Sequence, residues 1–135
     1  MRILGIDPGE RRVGLAVSDE LGITAQGLDT FDIRNDGDLF DFVNRLVERY
    51  AVGEIVVGHP ILLAGREGPS AERARVFADE LRDRIGVPVT LWDERFSSEE
   101  AKSVLKGQRA DKKTVDKLAA IIILQSYLDY RRRSR

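Results

Sequence analysis

Cysteine is absent from this sequence, which excludes disulfides, thiolate zinc sites and cysteine nucleophiles. Histidine occurs once, at His59, so a multi-histidine metal site is excluded too. Any metal would be held by oxygen ligands, which suit magnesium or manganese. The longest apolar run, Leu118 to Leu124, falls far short of the roughly 20 residues a membrane span needs. The N-terminus carries no signal-peptide pattern, and a cytoplasmic location is expected. Lysine is missing from residues 1–100, which hold 12 Arg against 20 Asp plus Glu and are net −8. Residues 101–135 carry 10 Lys plus Arg against 3 Asp and are net +7. Such an asymmetry suits a polyanionic partner at the basic end, or a tail that merely solubilises the C-terminus. Charge alone leaves both open.

What is present fits one compact domain over residues 1–135, with 42% apolar and 33% charged residues. Ile3 to Asp7 reads as a buried strand, Pro8 to Arg11 as a turn and Val13 to Val17 as a second strand. Ile23 to Phe31 reads as a third, edge strand. Leu39, Phe42, Val43, Leu46 and Tyr50 recur at helical spacing behind Asp36 or Asp38, and Gly53 is expected to end that helix. Ile55-Val56-Val57 is apolar on consecutive positions, the mark of a parallel strand covered on both faces. Pro69 and Ser70 open a second helix that buries Ala74, Phe77, Leu81 and Ile85 and closes at Gly86. Val87 to Trp92 is the fifth strand. Ser97 and Glu100 form a capping box for a helix reaching about Lys106. Gly107 to Lys113 is expected to be mobile. Thr114 is expected to cap a last helix, Val115 to about Arg131, apolar nearly all round at its centre. The order β-β-β-α-β-α-β-α-α implies an α/β fold: a mixed five-stranded sheet, three strands antiparallel and two parallel, with helices on both faces.

Acidic residues mark the strand ends. Asp7 ends the first strand beside the small residues Gly5, Gly14, Ala16 and Ser18, which allow a bulky partner to approach that face. Asp93 and Glu94 end the fifth strand, and side-chain alternation lets only one of them share Asp7's face. Asp116 lies in the expected first turn of the last helix, where the helix dipole favours an acid whatever else it does. Ligands of open α/β sheets gather outside the carboxyl ends of the strands, where Asp7 and Glu94 stand. Carboxylates without histidine or cysteine suit two-metal phosphoryl chemistry, with cations roughly 4 Å apart at the attacking and leaving oxygens.

Gly5-Ile6-Asp7-Pro8-Gly9, Arg12, Gly14, Ala16 and Ser18-Asp19 resemble the opening motif of the YqgF (RuvX-like) family of pre-16S ribosomal RNA nucleases. Val56 to Pro60, Asp93-Glu94-Arg95 and Asp116 to Ala120 match later blocks of that family in order. The resemblance covers essentially the whole chain. It implies a ribonuclease H-like fold and a Mg2+- or Mn2+-dependent endonuclease, with Asp7, Glu94 and Asp116 as catalytic residues and metal ligands. It further implies processing of the 5′ end of pre-16S rRNA in ribosome biogenesis, with Holliday junction resolution as the older proposal. Two departures from the family pattern stand out: Ser97-Ser98 replaces Thr-Thr, and His59 replaces an apolar residue. His59 is either a phosphate contact or incidental. Related junction resolvases carry a carboxylate at the fourth strand's end, where this chain has Gly58-His59-Pro60.

Arg12, Arg95, Lys106, Arg109, Lys112 and Lys113 are the expected nucleic-acid contacts, placed around the acidic turns and in the segment before Asp116. For Arg12 and Arg95 the alternative is an internal ion pair. Arg131-Arg132-Arg133 and Arg135 read as a groove extension or a frayed tail. Phe96 is the one candidate for base stacking, so backbone or shape recognition is expected over base reading. The expected partner is pre-rRNA, with structured DNA second, no membrane, and a homodimer left open. A two-lobed sugar-kinase-like phosphotransferase needs a longer chain. A non-catalytic nucleic-acid-binding or transcription-associated module remains the alternative.

Overall fold

A computed structural model of the protein describes residues 1–62, 65–94 and 112–134. The elements run β1 (Arg2–Pro8), β2 (Arg12–Ser18), β3 (Ala25–Gly27), β4 (Phe31–Asp32), α1 (Leu39–Tyr50), β5 (Val52–His59), α2 (Pro69–Arg84), β6 (Val89–Asp93) and α3 (Lys112–Arg133). The sheet order is β3-β2-β1-β5-β6, with β4 also on β2. β1 and β2 are antiparallel, whereas β5 pairs parallel to β1 and to β6. The mixed α/β sheet is therefore as expected, except that it has six strands among the described residues rather than five. The stretch read as one edge strand is two pieces on β2. Residues 28–30 leave the ladder between them, with Leu28 N still donating to Leu15 O at 2.9 Å, and Phe31 then returns to the core.

Alternation along the strands divides the core. Leu4, Ile6, Val13, Leu15, Ile55 and Val57 pack with Val43, Leu46, Phe77 and Leu81 of α1 and α2 on one face. Ile3, Ala16, Val56 and Trp92 meet Ala120, Ile123, Leu124, Tyr127 and Leu128 of α3 on the other. The consecutive apolar run in β5 is thus used on both sides, as a central parallel strand requires. α3 is less enclosed than its composition suggests: Leu118, Ala119, Ile121 and Ile122 are only partly buried, because the sheet covers the helix from one side. It also starts earlier than expected. Thr114 lies within the helix rather than capping it, and Lys112 and Lys113 are helical. The expected helix after Ser97 and most of the segment before Lys112 lie outside the described residues.

Helix α1 is capped as its sequence suggests, Asp38 accepting from Asp41 N at 3.0 Å. Its stop differs. Ala51, in the left-handed region at φ 51°, ends α1, whereas Gly53 lies inside β5 against Met1. α2 opens at Pro69 as expected, but its C-cap is Ile85, before Gly86. A left-handed alanine costs about 1 kcal/mol, part of which a glycine would forfeit in the unfolded chain. Ala51→Gly should stabilise the protein by roughly 0.5 kcal/mol. A urea unfolding midpoint that falls would contradict this.

Candidate active site

Asp7 occupies the face of β1 that carries Ile3 and Gly5, the face covered by α3. Its Cα partner on β2 is Gly14. A Cβ on Gly14 would stand 2.2 Å from the backbone oxygen of Asp116, so only glycine lets α3 lie that close. The bare surface at Gly14 therefore brings Asp116 beside Asp7. Asp116 is the fifth residue of α3, and the first turn holds no acid. The dipole explanation for an acid at this position weakens accordingly.

Glu94 follows β6 directly. Trp92 faces α3, so Glu94 shares that side and Asp93 does not. β5 intervenes between β6 and β1, a separation of about 10 Å at the Cα level. Gly58 narrows it: Oε1 of Glu94 lies 3.0 Å from where a Gly58 Cβ would stand. Glu94 thus extends over a strand position with no side chain of its own. Read in sequence, Gly58 is only part of the Gly58-His59-Pro60 run at a strand's end. Its role depends on its being placed between two acids, which a one-dimensional reading does not show.

The three carboxylates share one electrostatic environment. Asp7 is pushed from an ordinary 3.8 up to about 7, by burial first, then by Glu94 and then by Asp116. Among the described residues, no three acidic or imidazole side chains are grouped tightly enough to hold a metal ion on their own. The donor chemistry nevertheless fits a hard divalent cation. Magnesium is commonly held by one or two carboxylates, keeping waters and taking substrate phosphate oxygens for the rest.

The remaining expectations divide. His59 faces α2 rather than Asp7, as Val57 does, and its Nε2 lies 2.9 Å from Glu67 Oε2. Glu67 also accepts from Arg75 Nε at 3.1 Å, and these two partners, Arg75 first, hold its pKa below the usual range. His59 thus ties the loop after β5, through Glu67 and Arg75, to α2. Arg12 lies on the same face as Gly14 and Asp7. Its Nε is buried and has no hydrogen-bond partner among the described residues. Arg131 is not a frayed tail, since its Nη1 reaches Glu54 Oε1 at 3.0 Å. Lys112 and Lys113 begin α3. Arg95, Phe96, Lys106, Arg109 and Arg135 lie outside the described residues. So do Ser97 and Glu100.

A family model described as "RuvX: Holliday junction resolvase" matches residues 1–130. The chain belongs to the RuvX family. It is 45% identical over 135 residues to a Bacillus cytotoxicus protein named "Putative pre-16S rRNA nuclease", covering 96% of this chain and 98% of that one. A Halothermothrix orenii protein of the same name is 43% identical over 134 residues, covering 96% of each chain. Among solved structures, Thermus thermophilus RuvC in complex with Holliday junction substrate matches with a TM-score of 0.62 at 19% identity, covering 98% of this chain and 96% of that one. The fowlpox virus Holliday junction resolvase gives a TM-score of 0.55 at 13% identity, covering 96% and 99%. At such identities the structures establish the shared RuvC-like, ribonuclease H-type fold of this RuvX chain.

Two measurements probe this geometry. In the cation-free protein, protonated Asp7 is favoured by folding, so its contribution is greatest below the unfolded value of 3.8 and is lost as pH rises toward about 7. Asp7→Asn should match wild type in stability near pH 4 and exceed it by on the order of 4 kcal/mol at pH 8 in EDTA. Equal melting temperatures for the two at pH 8 would contradict the crowding of acids. Second, a Cβ on Gly58 meets Ile123 Cδ1 at 2.6 Å and Glu94 Oε1 at 3.0 Å, both ends of flexible side chains. Gly58→Ala should fold with a loss of about 1–3 kcal/mol yet lose tenfold or more in nuclease rate, because Glu94 is displaced.

Proposed function

We propose that this RuvX protein is a divalent-metal-dependent endonuclease that hydrolyses phosphodiester bonds in pre-16S rRNA, maturing the 5′ end of the small-subunit RNA in the cytoplasm. What supports the reading is placement: Asp7 pairs with Gly14, Gly14 lies under the Asp116 carbonyl, and Glu94 Oε1 lies over Gly58 on the same face of the sheet. The near-full-length relatives named for pre-16S rRNA supply the substrate.

In this reading the three carboxylates are both the catalytic groups and the ligands of a two-metal Mg2+ or Mn2+ site. Bound there, the cations would supply Lewis-acid stabilisation of charge on the phosphate and acidify a nearby water. The chain's own residues do the rest. Asp7, with a proton affinity close to neutral before loading, is poised to give up its proton as the site fills. Glu94 and Asp116 approach from opposite sides of Asp7, β6 and the face over β2, so a phosphate seated at Asp7 is flanked by both. Rigid strands and a closely packed helix hold these groups, which limits the reorganisation needed on substrate arrival. Arg95, Lys106, Arg109, Lys112 and Lys113 contribute general backbone affinity that falls with salt.

The family model's own description favours a second reading, cleavage of Holliday junctions. Matched RNA and junction DNA substrates assayed with Mn2+ separate the two. The wild-type protein should cut the 5′-extended pre-16S RNA, and Asp7→Asn should abolish that cleavage while binding the RNA at least as tightly. Mn2+ should raise the melting temperature of wild type and leave Asp7→Asn nearly unmoved. Undiminished cleavage by Asp7→Asn, or metal stabilisation equal in both proteins, would reject the assignment.

A further inference from the structure

The side of the site formed by β2 holds a charged group with a buried N–H that is unpartnered among the described residues. The Nε of Arg12 is out of solvent, yet it donates to nothing among the described residues. A buried, unsatisfied N–H on a cation costs about 1–3 kcal/mol or more, so such a group is normally paired. The obvious internal partner is Asp32, which faces Arg12 across the β2–β4 ladder. Its oxygens are already engaged. Oδ1 accepts from Arg34 N at 2.9 Å, Oδ2 accepts from Asn35 Nδ2 at 3.0 Å, and Arg11 Nη2 stands 3.9 Å from Oδ2. The Asp32 pKa is lowered chiefly by the Arg34 amide, with the Arg12 charge the smallest of the contributions. Asp32 is thus an electrostatic neighbour of Arg12 rather than its hydrogen-bond acceptor.

Position supplies the rest. Arg12 is two residues from Gly14, the partner of Asp7, which places the Arg12 and Asp7 Cα atoms about 8 Å apart on one face. It lies toward the carboxyl end of β1, where Gly9 packs on its carbonyl: a Cβ there would stand 2.3 Å from Arg12 O. Three carboxylates repel an approaching phosphodiester, and a guanidinium beside them whose Nε has no partner among the described residues offsets that repulsion. We propose that Arg12 grips a non-bridging oxygen of the backbone phosphate adjacent to the one seated at Asp7, using Nε and an Nη as a two-pronged donor. The contact reads the backbone and not the bases, so it serves RNA and DNA strands alike.

This inference rests on the proposed nucleic-acid site, but its test does not require cleavage. In the Asp7→Asn background, binding of a labelled single-stranded RNA and of the DNA strand of the same sequence is measured across a salt series. Arg12→Gln should weaken both by about tenfold and reduce the salt slope by roughly 0.7, the value for one phosphate contact on a single strand. Arg12→Lys should restore the slope while recovering only part of the affinity, because the ammonium lacks the fork. Thermal unfolding without nucleic acid discriminates the internal role. If Arg12 is held for substrate, Arg12→Gln and Arg12→Met should melt at or above the Asp7→Asn parent. A clear drop in melting temperature, or an unchanged salt slope in Arg12→Gln, would overturn the proposal. If the wild type proves inactive on pre-16S RNA and junction DNA but the slope still falls with Arg12, the nuclease reading fails and the phosphate contact stands.

Discussion

The close seating of α3 on the glycine-bearing face of the sheet is the contact on which the site depends. Gly14 lies beneath the Asp116 carbonyl, and Gly5 lies beneath Leu124, where a Cβ would stand 2.8 Å from the leucine Cβ. An α3 pushed outward by even one methyl on β2 would lift Asp116 away from Asp7. Packed interiors do not absorb such a shift gradually. The short side chains along β1 and β2 are therefore spacing devices. They cost conformational entropy on folding, and the apolar contacts of Ile123, Leu124 and Leu128 offset that cost.

The far end of α3 is anchored by a different kind of contact. Glu54, 9% exposed, accepts from the hydroxyl of Tyr127, from Thr90 Oγ1 at 3.0 Å and from Arg131 Nη1 at 3.0 Å. A buried carboxylate without such donors would be strongly unfavourable. Burial and then the Glu54 contact push Tyr127 up to about 12, so the phenol remains a donor throughout the working pH range. Gln125 adds a third tie, accepting from Ala25 N at 3.0 Å and donating to Ile23 O at 2.8 Å, which couples α3 to the edge strand β3. α3 is thus pinned along its length, and its acid-bearing end inherits that rigidity.

The two ends of the sheet carry opposite roles because the helices run against the parallel strands. The carboxyl ends of β1 and β6 present the acids, while the last turns of α1, α2 and α3 bring Arg49, Arg82, Arg84, Arg131, Arg132 and Arg133 to the other end. There they complement the helix C-terminal dipoles. The charge asymmetry along the chain is partly this architectural requirement, and Arg131 shows it directly by pairing with Glu54.

Local pattern was sufficient for much of this. Short apolar runs marked β1, β2 and β5, and apolar residues at helical spacing marked α1 and α2, because each has one or both faces buried and its own residues declare it. Alternation allowed only one of Asp93 and Glu94 on Asp7's side, and the packing of Trp92 on α3 decided for Glu94. Where local signals were ambiguous, the reading slipped: Thr114 looks like a cap and Gly53 like a stop, but α3 begins at Lys112 and Ala51 takes the turn. Residue types and their order along the chain were enough to establish an α/β sheet with acids at its strand ends. They could not say that Gly58 clears a path for Glu94, that His59 turns toward Glu67, or that the buried Arg12 Nε has no acceptor among the described residues. Each of those facts is a relation between segments remote in sequence, and it comes into being only when strands and helix are brought to within a few ångströms of one another.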